Sequence, residues 1–366
     1  MTKLKKVSQR GLLAAAIMLP LILVFYSLPD AQAADPMIPC GGDIDATINN
    51  TTLYPRNTPQ RFVLTADCPS PFTASTTIVP SDGDEVVCAK EPTFEQLTPG
   101  TDSTAAFDPT TYCTVAGPGV ENVFRPIGQG GTTATVRFEG ITIMGGKFTG
   151  SSGSGAAIAE GSMTNDSYHY GIEVRDNGAA GILTAKGTFE RVEFTNNTTD
   201  LSALSFIAAG IKARNEIEVK NSYIHGTQGN GLWCDGGCVE ASNTLPGFYV
   251  HHNLVVDNWR AGIRYENSTN AARIENNEVH GNSYKVKRGG VSVHDAQDAL
   301  VQNNVFGPAT IAGVPYRANA VAAIRATDSG RSGRPNLENV DIFNNVLNGE
   351  RIIGCELPDA VVDCTP

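Results

Sequence analysis

The chain has 366 residues, 41% of them hydrophobic, with 27 Lys+Arg against 38 Asp+Glu and a formal net charge of −11. An acidic balance of this size argues against general nucleic-acid binding, which needs a basic field. The length accommodates one large domain or two small ones.

Residues 1–33 read as a secretory signal. Lys3, Lys5, Lys6 and Arg10 precede an apolar run from Leu12 to Leu28 that Pro20 interrupts. Ala31-Gln32-Ala33 then supplies small residues for cleavage before Ala34. The run is short for a bilayer span, and no second segment is long and apolar enough to make one. Cleavage leaves 23 Lys+Arg against 37 Asp+Glu, a net charge of −14. The expected location is secreted, periplasmic or cell-surface, with no stable membrane span after cleavage.

Residues 34–130 are irregular and rich in Pro, Thr, Asp and Gly. They hold Cys40, Cys68, Cys88 and Cys113, half of the eight cysteines. An even number of cysteines, all beyond an export signal, predicts disulfides. Zinc would want Cys-x-x-Cys or Cys/His spacing, which is absent. Cys234–Cys238 and Cys355–Cys364 are the closest couples, and the other four staple the N-terminal part in a pairing that spacing leaves open. RFVLTA (61–66) and STTIVP (75–80) read as early, imperfect rungs, and the region as a cap plus the first coils. SDGDE (81–85) reads as a turn.

From about residue 136 onward one phrase returns. FYVHHNLVVDN (248–258), ARIENNEVHGN (272–282), ALVQNNVFG (299–307) and VDIFNNVLNG (340–349) each give strand, Asn-rich turn and second strand. NGLWCD (230–235), AGIRYE (261–266), GGVSVHD (289–295) and AAIRATD (322–328) give a third strand. Repeats of this length indicate a solenoid whose coils bury their apolar faces on one another. The first inward column is Phe138, Phe189, Val219, Val250, Ile274, Val301 and Ile342, with a weaker rung near His169–Val174. Asn221, Asn253, Asn276, Asn277, Asn303, Asn304, Asn344 and Asn345 mark the turns. Asn tolerates left-handed backbone, and its amide can bond the same amide one rung along. His251 and His252 sit at one of these turns, where the pair is expected to satisfy turn hydrogen bonds.

The third strand carries the candidate site. Its inward column is Ile182, Ile211, Leu232, Ile263, Val291, Ile324 and Ile353. One residue later, Leu183, Lys212, Trp233, Arg264, Ser292, Arg325 and Gly354 face outward. Three residues later, so do Ala185, Arg214, Asp235, Glu266, His294, Thr327 and Glu356. Rungs stack about 4.8 Å apart, so Arg214, Asp235, Glu266 and His294 are expected in one ladder. Trp233 offers a face for a sugar ring. Lys212, Arg214, Arg264 and Arg325 offer cations for carboxylates. Asp235 and Glu266 could serve acid/base work or hold a cation, and His294 could move a proton. His225, Asp257 and His280 are expected at the edge of the same groove. A solvated ladder of stabilising charge pairs is the competing reading.

The phrase resembles the right-handed parallel β-helix superfamily, with its pectate-lyase-like and mannuronan-epimerase-like proteins, over residues 131–366. The resemblance implies an all-β right-handed parallel β-helix with an irregular N-terminal cap and a site on the outer face of one sheet. His294 and Asp295, in VHDAQD (293–298), match part of the epimerases' Asp-Pro-His-Asp motif. The implied partner is an acidic polysaccharide, handled by a polysaccharide lyase or C5-epimerase. His294 would be the base, Arg264 or Arg214 the clamp, and Asp235 and Glu266 ligands for sugar hydroxyls or a cation such as Ca²⁺. Two alternatives stay open: a glycoside hydrolase using Asp235 and Glu266, and a non-catalytic extracellular carbohydrate-binding or structural β-helix. Oligomeric state has no sequence signal.

Overall fold

The computed structural model describes residues 35–117, 119–128, 134–147, 155–160, 166–200, 207–239, 246–355, 357–358 and 361–364. The signal segment 1–33 lies outside the described residues. Among those residues no helix is long and apolar enough to cross a membrane.

The chain is a right-handed parallel β-helix in which three strand columns run along the coil. Phe62, Val86, Phe138, His169, Phe189, Val219, Val250, Ile274, Val301 and Ile342 form one inward register. Phe72, Val115, Ile143, Val174, Phe194, Ile224, Val255, Val279 and Phe306 form another. Every one of these side chains is buried. Removing such Ile, Val and Phe side chains from water is worth about 1.5–3 kcal/mol each. Constant strands with variable loops keep this stack aligned although the repeat length drifts.

Parallel coiling begins well before residue 131. Met37–Ile38 pairs with Arg61–Leu64, which pairs with Glu85–Cys88. Ile78 bridges Phe124, which bridges Ile158. The helix Ile44–Ile48 is capped by Asp43, whose carboxylate accepts the Ala46 N–H at 2.9 Å. Cys40–Cys68 and Cys88–Cys113 tie these first coils, Cys234–Cys238 closes a short loop and Cys355–Cys364 ties the last rung. Among the described residues no cysteine is free.

The turns hold two amide ladders. Asn253, Asn277, Asn304 and Asn345 pass Nδ2–H to Oδ1 along the axis at 2.9–3.0 Å. The residue before each ladder asparagine takes the left-handed backbone, as at His252, Asn276, Asn303 and Asn344, and Asn221 does the same before Ser222 on the preceding rung. A second ladder, Asn258 to Asn282 to Asn319, ends on Glu350. The phrases ending on Asn258 and Asn282 carry the second ladder too, although only the first set of turn asparagines is marked by the doubled Asn.

Candidate functional site

The third strand column stacks in the expected register from Ile182 through Ile211, Leu232, Ile263 and Val291 to Ile324. It then shifts. Ile324 pairs with Ile352, and Arg325 with Ile353, so neither Ile353 nor Gly354 holds its expected place. Alternation cannot phase an Ile-Ile doublet on a two-residue strand. Ala185 is likewise inward and fully buried. A bulge beside Thr184, at φ 58°, inserts a residue and reverses the alternation there. Glu356 lies outside the described residues.

The outward ladder is Asp235, Glu266, His294 and Thr327. Arg214 is not one of its steps. It sits in the irregular stretch between Ala213, paired with Cys234, and Asn215, paired with Val239, and its side chain is exposed. The parallel outward row runs Lys212, Trp233, Arg264, Ser292 and Arg325.

Much of this surface is closed to ligand. Lys212 is 1% exposed, Arg264 3%, Trp233 5% and Glu266 9%. Lys212 Nζ lies 2.7 Å from Asp235 Oδ2 and 4.1 Å over the Trp233 ring. Asn267 donates to the other oxygen of Asp235 at 3.1 Å. Arg264 pairs with Glu266 and lies 5.4 Å from the Trp233 ring, whose Nε1–H donates to Glu266 Oε2 at 3.0 Å. Burial pushes the Asp235 carboxyl up, but Lys212, Asn267 and Arg214 outweigh it and hold the pKa below the ordinary value. Burial depresses the Lys212 ammonium, and Asp235 opposes that shift. Trp233 therefore presents no open face to a sugar. Asp235 and Glu266 already bond cations and donors, which leaves neither as a ready cation ligand. Among the described residues no three His, Cys, Asp or Glu side chains group to hold a metal.

The accessible chemistry lies one rung further on. A cleft of about 390 Å³ opens between the third strand column and the 286–288 loop. Arg264, Glu266, His294 and Arg325 line it, together with Lys287, Arg288 and Arg331, which the strand pattern did not reveal. The basic run Lys285-Val286-Lys287-Arg288 was the available signal. Glu266 is the only carboxylate among the lining residues. Arg325 donates to the Lys287 carbonyl at 2.8 Å, which ties loop to strand. His294 Nδ1–H donates to the Thr327 carbonyl at 3.1 Å, with Thr327 Oγ1 at 3.0 Å. In the neutral ring that bond puts the hydrogen on Nδ1 and the lone pair on Nε2, 3.6 Å from Asp295 Oδ2; in the protonated ring Nε2 turns a donor toward that carboxylate. Burial raises the Asp295 carboxyl, but the hydroxyl and amide of Ser329 and the nearby His294 bring it below the ordinary range.

His225, Asp257 and His280 do not line this cleft. His225 and His280 stand on the other outward face, where His225 bonds Glu193 at 2.7 Å and His280 bonds the Gly307 carbonyl at 2.6 Å.

A family model described as a right-handed beta helix region matches residues 127–306. Among solved structures, the chain is similar to the A-module of the Azotobacter vinelandii mannuronan C-5 epimerase AlgE6. Identity is 14%, coverage 88% of this chain and 94% of that one, and the TM-score 0.46. The AlgE4 A-module of the same organism is 13% identical, over 88% and 95% of the two chains, at a TM-score of 0.41. The Dettilon tailspike protein is 14% identical, over 87% and 60%, at a TM-score of 0.38. No curated protein matches the chain by sequence. Likeness at these identities concerns the fold alone.

Proposed function

We propose that this member of the right-handed parallel β-helix superfamily is an exported protein that binds an acidic polysaccharide in the cleft beside His294, with His294 as base of a lyase or C5-epimerase reaction. The observation that carries this reading is the set of Lys287, Arg288, Arg325 and Arg331 around an imidazole whose Nδ1 is held by the Thr327 carbonyl, so that the neutral ring has its lone pair on Nε2. A cationic cleft on an acidic body steers a polyanion to one place. Disulfides are the expected furnishing of an exported chain.

Both reactions begin by removing the proton next to a uronate carboxylate. The C–H electron pair moves into the carboxylate, and the proton moves to His294 Nε2. Arginine and lysine groups held against the carboxylate stabilise the charge that develops there. Expulsion of the O4 substituent then gives a lyase product, and reprotonation from the opposite face gives an epimer. The Thr327 carbonyl holds the ring in the tautomer that accepts the proton.

The hydrolase alternative needs one carboxyl free to donate a proton and a second free to attack or activate water. Both Asp235 and Glu266 are engaged by cations, which weighs against it. The same engagement favours binding without turnover as the second reading.

The mature protein, offered polyuronates, should bind them more weakly as salt rises. Ultraviolet absorbance of an unsaturated product identifies a lyase, and NMR of the polymer identifies inversion at C5. Salt-dependent binding with neither product leaves the non-catalytic reading. Absence of binding overturns both.

A further inference from the structure

The histidine pair in the Asn-rich turn is bonded in series to a carboxylate. His251 Nε2 lies 3.1 Å from Glu218 Oε1, and His251 Nδ1 lies 2.7 Å from His252 Nδ1. The other oxygen of Glu218 accepts from Lys220 Nζ at 3.1 Å and from Thr188 Oγ1 at 3.4 Å. The carboxyl is therefore held ionised, its pKa depressed first by the His251 bond and then by Lys220. His251 is stacked 4.1 Å from Tyr249, and its neighbours in register are Lys220 on one rung and Glu275 on the next.

The bonds order the protons. An ionised Glu218 only accepts, so His251 Nε2 carries the hydrogen it receives. When neutral, His251 then offers a bare Nδ1, and His252 Nδ1–H donates to it. His252 Nε2 is left as a lone pair with no protein partner among the described residues. Burial and the adjacent His251 both depress the His252 pKa, which favours the neutral ring.

His252 is also unusual for its position. Its φ is 56°, in the left-handed column that neighbouring rungs fill with Asn221, Asn276 and Asn303. Imidazole replaces asparagine at a site where L side chains pay for the backbone conformation. His252 lines a second cleft of about 370 Å³, whose other walls include Thr98 and Thr104 from the 93–110 hairpin, Asn276 and Asn303 from the turns and Glu278 from the strand that follows Asn277. Hydroxyls, amides and one carboxylate line it, with no lysine or arginine. This chemistry suits a neutral hydroxyl-bearing ligand and does not suit a polyanion.

We propose that Glu218, His251 and His252 form a proton relay whose terminal atom, His252 Nε2, is a general base toward a hydroxyl of a neutral saccharide in this second cleft, independent of the cationic cleft at His294. The hydroxyl proton passes to His252 Nε2, the His252 Nδ1 proton passes to His251 Nδ1, and the positive charge rests on His251 beside Glu218. The oxygen keeps the O–H electron pair and becomes the stronger nucleophile. Glu218 and His251 act as positioning residues.

The test uses the whole mature protein and two probes of the same lone pair. ¹⁵N NMR should show His252 in the Nδ1-protonated tautomer. Diethylpyrocarbonate acylates a bare imidazole nitrogen and expels ethyl carbonate anion while the imidazole gives up its other proton, here to His251; the anion then takes a proton from solvent and breaks down to ethanol and carbon dioxide. Peptide mapping should find His252 the most reactive of the six histidines. Glu218→Gln should slow that reaction by roughly tenfold or more, because the relay no longer stabilises the transferred proton. His252→Asn restores the residue of the neighbouring rungs, so its thermal midpoint should match the parent while the Nδ1-protonated signal disappears. A His252 protonated on Nε2, or a Glu218→Gln variant that reacts at the parental rate, overturns the proposal.

Discussion

Trp233 donates its indole N–H to Glu266 at 3.0 Å, reaching from one rung to the carboxylate on the next. With Arg264 on the same carboxylate and Lys212 over the same ring, the outward row becomes a closed array of partners. A ligand meets that array at its Arg264–Glu266 edge, where the cationic cleft begins.

Glu266→Ala should therefore destabilise the fold. The substitution strands a buried Arg264 and an indole N–H together. Loss of one partner from a buried ion pair costs about 3–5 kcal/mol. Urea unfolding would measure it, and a change within about 0.5 kcal/mol, the range of ordinary surface substitutions, would contradict the array.

The cleft separates binding from chemistry. Arg325→Ala should weaken polyuronate affinity by about 1.5–3 kcal/mol if the guanidinium holds a carboxylate. The salt dependence of binding should become shallower with it. His294→Gln should leave affinity nearly intact and abolish any turnover, because the acceptor for the proton is gone. Calorimetry at two salt concentrations, with a product assay beside it, reads both effects.

The amide ladder makes adjacent asparagines unequal. Asn277 is fully buried, bonds the Asn253 and Asn304 amides and donates to the carbonyls of Val250 and Glu275. Asn277→Ala should cost at least about 1–3 kcal/mol for the groups it orphans. Exposed Asn276, at φ 56°, supplies mainly a left-handed backbone. Asn276→Gly should change stability by a few tenths of a kcal/mol, since Gly adopts that backbone without strain. Denaturant midpoints of the two variants make the comparison.

The hairpin of Thr93–Gln96 and Phe107–Thr110 docks on the coil through Phe107 N–H to the Asn221 carbonyl at 3.0 Å. Its Asp108 carboxyl is pushed up to about 7 by burial, then by Glu193, with Glu173 and Glu95 adding to the effect. His225 lies 2.7 Å from Glu193, and Arg175 lies 3.2 Å from Glu173. The folded state thus binds a proton that the unfolded chain has released above the ordinary carboxylate range. Stability must fall as pH rises from about 4 through about 7. Hydrogen exchange in the hairpin should accelerate over that window, and Asp108→Asn should remove the dependence.

The sequence by itself determined the coil. Ile274, Asn277 and Val279 state a strand, a turn and a second strand within a few residues, and the phrase recurs often enough to set strand identity, inward face and turn chemistry. Local alternation suffices there because each rung repeats the same contacts with its neighbours. It failed at Ala185 and at Ile352–Ile353, where a bulge and a two-residue strand remove the phase that alternation needs. Tertiary structure decided the site. Alternation says that Trp233 and Arg264 leave the core, but whether they reach water depends on what packs over them. Lys287, Arg288 and Arg331 reach the cleft from loops between rungs, where no repeating contact constrains the chain. The relay from Glu218 to His252 joins residues 33 or 34 positions apart, one rung from the next, and only the register of the coil brings them within hydrogen-bond distance.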